Sequence, residues 1–155
     1  MGLDMYLDVV KEGKDLTIEE IRDRLYGFED ENTSLLETEN VSYWRKVNAI
    51  HKWFVENVQD GVDDCEPYIV SQENVEDLIH TINKVLSLAK VNSSEQSEKI
   101  EELLPTSSGF FFGSTEYDDY YFEELERTKS ILDNLLDGLK MGHYDGDVLI
   151  YTASW

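Results

Sequence analysis

Leu3-Asp4-Met5-Tyr6-Leu7-Asp8-Val9-Val10 alternates, with Leu3, Met5, Leu7 and Val9 on one side and Asp4, Tyr6 and Asp8 on the other. A period of two marks a strand with one buried face. The chain therefore builds a sheet, and the segments after this strand must cover it. Thr17 with Glu20 forms a capping box that opens a short helix through Leu25. Ile18, Ile21 and Leu25 fall on one side of that helix, Gly27 ends it, and the acidic, polar residues 28–41 read as a loop.

Ser42 then caps a helix expected from Tyr43 to about Val58, because Trp44, Val47, His51, Phe54 and Val58 recur at spacings of three and four. Ile50 and Trp53 widen that stripe, and residues 61–67 form a turn region. Tyr68 to Val70 is a short extended piece or the lead into the next helix. That helix, capped by Ser71 and running to about Lys90, turns Val75, Leu78, Ile79, Ile82, Val85, Leu86 and Ala89 inward. A polar linker at Asn92–Gln96 precedes a short helix containing Ile100, Leu103 and Leu104, which Pro105 stops.

Ser108-Gly109-Phe110-Phe111-Phe112-Gly113-Ser114 suits a buried strand, since three aromatics between glycines carry no helical period. Thr115 with Asp118 opens a last helix to about Leu136, with Tyr121, Leu125, Leu132 and Leu135 inward, Thr128 in register and Gly138 and Gly142 at its end. Val148 to Ala153 is β-branched and aromatic enough for a final strand. The order gives an α+β (mixed α/β), helix-rich fold. A small sheet of about three strands is covered by three to five α-helices, in a single globular domain over residues 1–155.

Charge narrows the function more than composition does. The 155 residues hold 34 acids against 13 bases, a formal net of −21. No Lys or Arg occurs from Trp53 to Asn83, a stretch with eight acids. Such a chain gains no counterion release from polyanions, so direct binding to nucleic acid or to an anionic membrane is not expected. Basic partners and cations are. Cys65 is the single cysteine, which rules out an internal disulfide and suits a reducing compartment. Met1-Gly2-Leu3-Asp4-Met5 has neither a basic nor an apolar leader region, and no apolar run approaches the roughly 18 residues of a membrane helix.

Three arrangements that carry chemistry elsewhere are incomplete. His51, Asp63, Asp64 and Cys65, with His80 and His143 apart, do not make a zinc set, so no metal and no cofactor is expected. Cys65 sits 14 residues after His51, but flanking Asp63, Asp64 and Glu66 oppose a thiolate. Gly109 and Gly113 lack the Lys and the further glycines of a phosphate cradle. No catalytic residue is assigned, and the chain is read as a non-enzyme.

Glu116-Tyr117-Asp118-Asp119-Tyr120-Tyr121-Phe122-Glu123-Glu124-Leu125-Glu126 is different, being almost wholly acids and aromatics. Side chains three or four apart share a helix face, so Asp119, Glu123 and Glu126 form one acidic line. Tyr117 and Tyr120 are expected at the surface nearby. Carboxylates in a row beside amphipathic Tyr suit a groove rich in Arg and Lys that ordinarily holds nucleic acid. The expected partner-binding residues are Asp118, Asp119, Tyr120, Glu123 and Glu126, with Asp63 and Asp64 as a second patch.

Several blocks carry a family resemblance. They are Leu3 to Leu7, Tyr43-Trp44-Arg45-Lys46 continuing to Val55, Asp60 to Cys65, Leu104 to Asp118 with its Ser108–Ser114 core, and the closing Ser154-Trp155. In this order they resemble a widespread set of small proteins encoded by bacteriophages and prophages. The resemblance implies an origin, that of a phage accessory protein made in a bacterial cytoplasm, rather than an activity. Accessory proteins of this kind bind and block host machinery or host defence, CRISPR effectors included. The leading expectation is an inhibitor that meets a basic surface of a host protein, acting as monomer or homodimer. The alternative is a small-molecule- or metal-binding protein, or minor enzyme, with a pocket formed by Trp44, His51, Trp53 and Cys65 near Asp63. Self-association through exposed aromatics is a third.

Overall fold

The structure, a computed structural model, describes residues 2–26, 36–91 and 94–155. Along the described residues the elements are β1 (Asp4–Val10), α1 (Ile18–Leu25), β2 (Thr38–Arg45), α2 (Asn48–Asn57), β3 (Tyr68–Val70), α3 (Gln72–Ala89), α4 (Ser94–Leu103), α5 (Asp119–Lys140) and β4 (Val148–Ser154). The fold is α+β. Its sheet has four strands in the order β2-β1-β4-β3, and every neighbouring pair is antiparallel. β1 and β4 are the inner strands, and their odd residues, with Leu3 just before β1, supply one buried face: Leu3, Met5, Leu7, Leu149, Tyr151 and Ala153 enter one core with residues of α2, α3, α4 and α5. The reverse face is covered in part by α1, where Ile21 meets Val10 and Ile150 in a second, smaller cluster.

Local signals placed several ends well. Thr17 and Glu20 form the reciprocal capping box of α1. Ser71 caps α3 in the same way, with Asn74 returning the bond. The expected end of α1 at Gly27 and residues 28–35 of the expected loop 28–41 lie outside the described residues, and Thr38 to Val41 of that loop belong to β2 instead.

Several expectations are corrected. The helix expected from Tyr43 begins only at Asn48, since Tyr43, Trp44 and Arg45 finish β2, and Ser42 is a strand residue opposite Leu7. Pairing with β1 decided this, because Met5 opposite Trp44 places the indole in the core while Tyr43 and Arg45 alternate outward. The helical spacing from Trp44 to Val47 spans a strand, a left-handed residue at Lys46 (φ 56°) and a helix start. With β2 and β3 both present, the sheet has four strands instead of about three.

The Phe run is not a strand. β1 already has β2 and β4 as neighbours, and residues 108–114 contribute a single bond to its start, Leu3 N–H to Phe111 O at 3.1 Å. Gly113 at φ +83° and the Phe112 N–H to Gly109 O turn bend the segment instead. α4 opens at Ser94, so helix occupies part of the expected linker. α5 is capped by the Asp118 carboxylate, which accepts from Tyr121 N–H, and it runs past Leu136 to Lys140 with Gly138 buried inside it.

Candidate functional site

α2 carries His51 on its buried face, 1 % exposed. Its Nδ1 lies 2.6 Å from the Tyr151 hydroxyl and its Nε2 3.0 Å from Asp63 Oδ1. A carboxylate only accepts, so Nε2 holds the proton and donates to Asp63, and Nδ1 accepts from the Tyr151 O–H. The Trp155 indole N–H donates to the same Asp63 Oδ1 at 3.0 Å. Burial pushes the His51 pKa below its usual value, against the opposing pull of Asp63, so the ring is neutral at pH 7. Burial likewise holds Tyr151 in its phenol form, far from ionising. Phe54 stacks on Tyr151 at 3.9 Å between ring centres, and Phe112 meets His51 edge-on at 5.5 Å.

This chain of bonds satisfies every polar atom of the His51 ring. It also resembles a nucleophile–base–acid series only in form. The place of the nucleophile belongs to a fully buried phenol that no substrate can reach. Its evident work is mechanical: β4 and the residue after it are tied to α2 and to the loop before β3.

Cys65 stands in a left-handed conformation, φ 59°. Burial is the main cause that raises its thiol pKa, and Asp63, Asp64 and Glu66 add to it. Trp44 is fully buried, with its indole N–H on Thr128 Oγ1 at 2.8 Å, and Trp53 packs edge-on against Phe54. The expected pocket of Trp44, His51, Trp53 and Cys65 is therefore corrected: these side chains are core or half-buried and do not line the hollow beside Asp63. That hollow is walled by Phe110, Phe111, Phe112, Trp155, Ser108 and Asp63. Phe110 is 93 % exposed, and Phe111 touches it edge-on at 4.6 Å between ring centres.

Asn48 holds this aromatic loop in place. Buried at the start of α2, its Nδ2 donates to Phe112 O and to Ser114 O, both at 2.9 Å, and its Oδ1 accepts from Ser107 N–H at 2.9 Å. Asn48, Tyr151 and Trp155 are the residues that sequence reasoning missed. A polar residue in an otherwise apolar helix stripe was the one visible signal for Asn48. Nothing local marked the other two.

No family model, curated protein or solved structure matches the chain.

The acidic segment behaves otherwise. α5 packs along β2: Thr128 takes the Trp44 bond, Arg127 Nη2 donates to Tyr43 O at 2.9 Å, and the Tyr120 hydroxyl donates to Arg45 O at 2.6 Å. With Tyr121, Leu125, Leu132 and Leu135 in the core, Asp119, Glu123 and Glu126 stand exposed on the opposite side of the helix. No ion pair among the described residues engages these three. Glu124 is held by Arg127 at 2.8 Å and Asp133 by Lys129 at 2.7 Å. Asp118 is committed to the cap, and Tyr120 is anchored by its hydroxyl rather than projecting freely. Tyr117 is half-buried, its hydroxyl accepting from Thr106 N–H.

Asp63 and Asp64 do not join that line. They precede β3, the edge of the sheet opposite β2, about three strand spacings or ~14 Å away. Asp63 serves His51 and Trp155, and Asp64 accepts from Glu66 N–H and the Tyr68 hydroxyl. Among the described residues, no three His, Cys, Asp or Glu side chains gather closely enough to hold a metal ion, and no helix is long and apolar enough to cross a membrane.

Proposed function

We propose that the chain is a non-catalytic binding protein that occupies a basic surface of a host protein through the outer face of α5 and so inhibits that host protein. One observation carries this reading: Asp119, Glu123 and Glu126 face outward in one line, with no ion pair among the described residues. Along the helix axis they follow at intervals of about 6 and 4.5 Å. That is the same order as the ~3.4 Å of helix axis that one DNA strand allots to each phosphate. A groove lined with Arg and Lys to hold a nucleic-acid backbone would meet a comparable row of acceptors. The phage origin implied by the sequence resemblance supplies the setting, a bacterial cytoplasm. There a nucleic-acid-binding component of host machinery or defence, a CRISPR effector for example, is the class of partner. His51 being neutral and fully bonded, and Cys65 being held as a thiol, favour binding over catalysis.

The test is capture from a bacterial lysate on the immobilised protein, with elution by rising salt and identification of what elutes. Charged contacts at this exposure are screened over ~10 Å at 0.1 M salt, so a partner held by α5 leaves as salt rises. The triple substitution Asp119→Asn, Glu123→Gln, Glu126→Gln should abolish that capture, and the captured protein should lose its nucleic acid when the wild-type chain binds. Unchanged capture by the triple variant, or salt-insensitive elution, refutes the reading.

A further inference from the structure

The hollow beside Asp63 has a chemistry of its own, independent of the acidic face of α5. Both hydrogen bonds to Asp63, from His51 Nε2 and from Trp155 Nε1, land on Oδ1. Oδ2 has no hydrogen-bond partner among the described residues, and the Asp63 side chain is 31 % exposed. Since His51 is neutral, the negative charge of Asp63 has no counter-ion within this bond chain. The carboxylate is thus a fixed acceptor with one oxygen occupied and one available. Around it stand the rings of Phe110, Phe111, Phe112 and Trp155, and among the described residues no Lys or Arg lines the hollow. Asn48 sets the backbone of the loop that carries Phe110, Phe111 and Phe112, and the indole N–H bond to Asp63 holds Trp155 beside it.

We propose that this hollow receives the guanidinium of an arginine side chain from a partner protein. Oδ2 of Asp63 accepts a charge-assisted hydrogen bond from it, and the exposed faces of Phe110 and Trp155 take the planar cation. Charge complementarity selects the occupant. An anion would meet an uncompensated carboxylate, and a purely apolar side chain would strip water from Oδ2 without replacing its bond. Arginine fits better than lysine because its guanidinium is flat, weakly hydrated and able to stack on an aromatic ring while still donating in plane. Arginine and aromatic residues are also the side chains most enriched where protein interfaces concentrate their binding energy.

The indole N–H signals of the isotope-labelled full chain provide the assay, with that of Trp155 assigned by Trp155→Phe. The probe is acetyl-Gly-Arg-Gly-amide, compared with the same peptide carrying citrulline, which has nearly the same shape and no charge. The expected result is a saturable shift of the Trp155 signal with the arginine peptide and at least tenfold weaker binding of the citrulline peptide. Asp63→Asn, which keeps an oxygen for His51 and Trp155, should weaken the arginine peptide at least tenfold. Phe110→Ala, at a side chain too exposed to support the fold, should weaken it severalfold. Absence of a saturable shift, equal affinity for citrulline, or unchanged affinity in Phe110→Ala overturns the proposal. The citrulline and Phe110 arms decide the matter even if Asp63→Asn disturbs the protein.

Discussion

Replacing Asn48 by Ala removes three hydrogen bonds from a side chain that is 3 % exposed, two donated to the carbonyls of Phe112 and Ser114 and one accepted from Ser107 N–H. At about 1 kcal/mol net for each bond, the loss comes to about 3 kcal/mol. The size of the loss depends on how far the stranded groups find water. Ser114 is exposed and its carbonyl is readily solvated, whereas Phe112 is buried and its carbonyl is not. A domain of this size loses about 2–4 °C of Tm per kcal/mol, so thermal unfolding followed by circular dichroism should show a fall of about 6–12 °C. Hydrogen exchange supplies the local readout, with Ser107 N–H losing its protection while amides of β1 keep theirs until global unfolding. A fall in Tm below about 2 °C together with an unchanged Ser107 exchange rate would refute the account of Asn48 as the clamp of the aromatic loop.

Buried polar groups give two more expected outcomes. Thr128→Val removes the acceptor of the Trp44 indole N–H between two fully buried side chains, and should cost about 1–3 kcal/mol, read as a lower urea midpoint at unchanged slope. A larger loss than that would point to repacking rather than to the bond. His51 has a folded-state pKa below the unfolded value near 6.5, so the unfolded chain binds more protons as pH drops below that value. Its contribution is therefore complete above about pH 6.5 and is lost as pH falls towards the lowered folded-state value. Asp63, the acid facing the ring, tempers this loss without reversing it. Melts of wild type and His51→Gln between pH 7.5 and about 5 should show a steeper decline in wild type, and parallel curves would sink the assignment.

The division between what was legible locally and what was not follows the range of the interactions involved. β1 was readable because its alternation needs only the neighbouring residues, and the starts of α1 and α3 because a capping box closes within four residues. The exposed row Asp119, Glu123 and Glu126 was readable too, since helical spacing alone separates it from Tyr121 and Leu125. At Tyr43–Arg45 helical spacing and strand alternation both fitted, and only pairing with β1 chose between them. The Phe run is bent by the left-handed Gly113 and by the turn from Phe112 N–H to Gly109 O, and among the described residues its one backbone bond toward the sheet comes from Leu3 N–H.

The sequence by itself determined a helix-rich α+β chain with a large negative charge and an acidic helix face, because composition and short periodicities are carried by adjacent residues. Only the tertiary structure decided that Asp63 meets Trp155 across 92 positions and Tyr151 meets His51 across 100. Such contacts depend on which strand lies beside which, and chain closure alone determines that order.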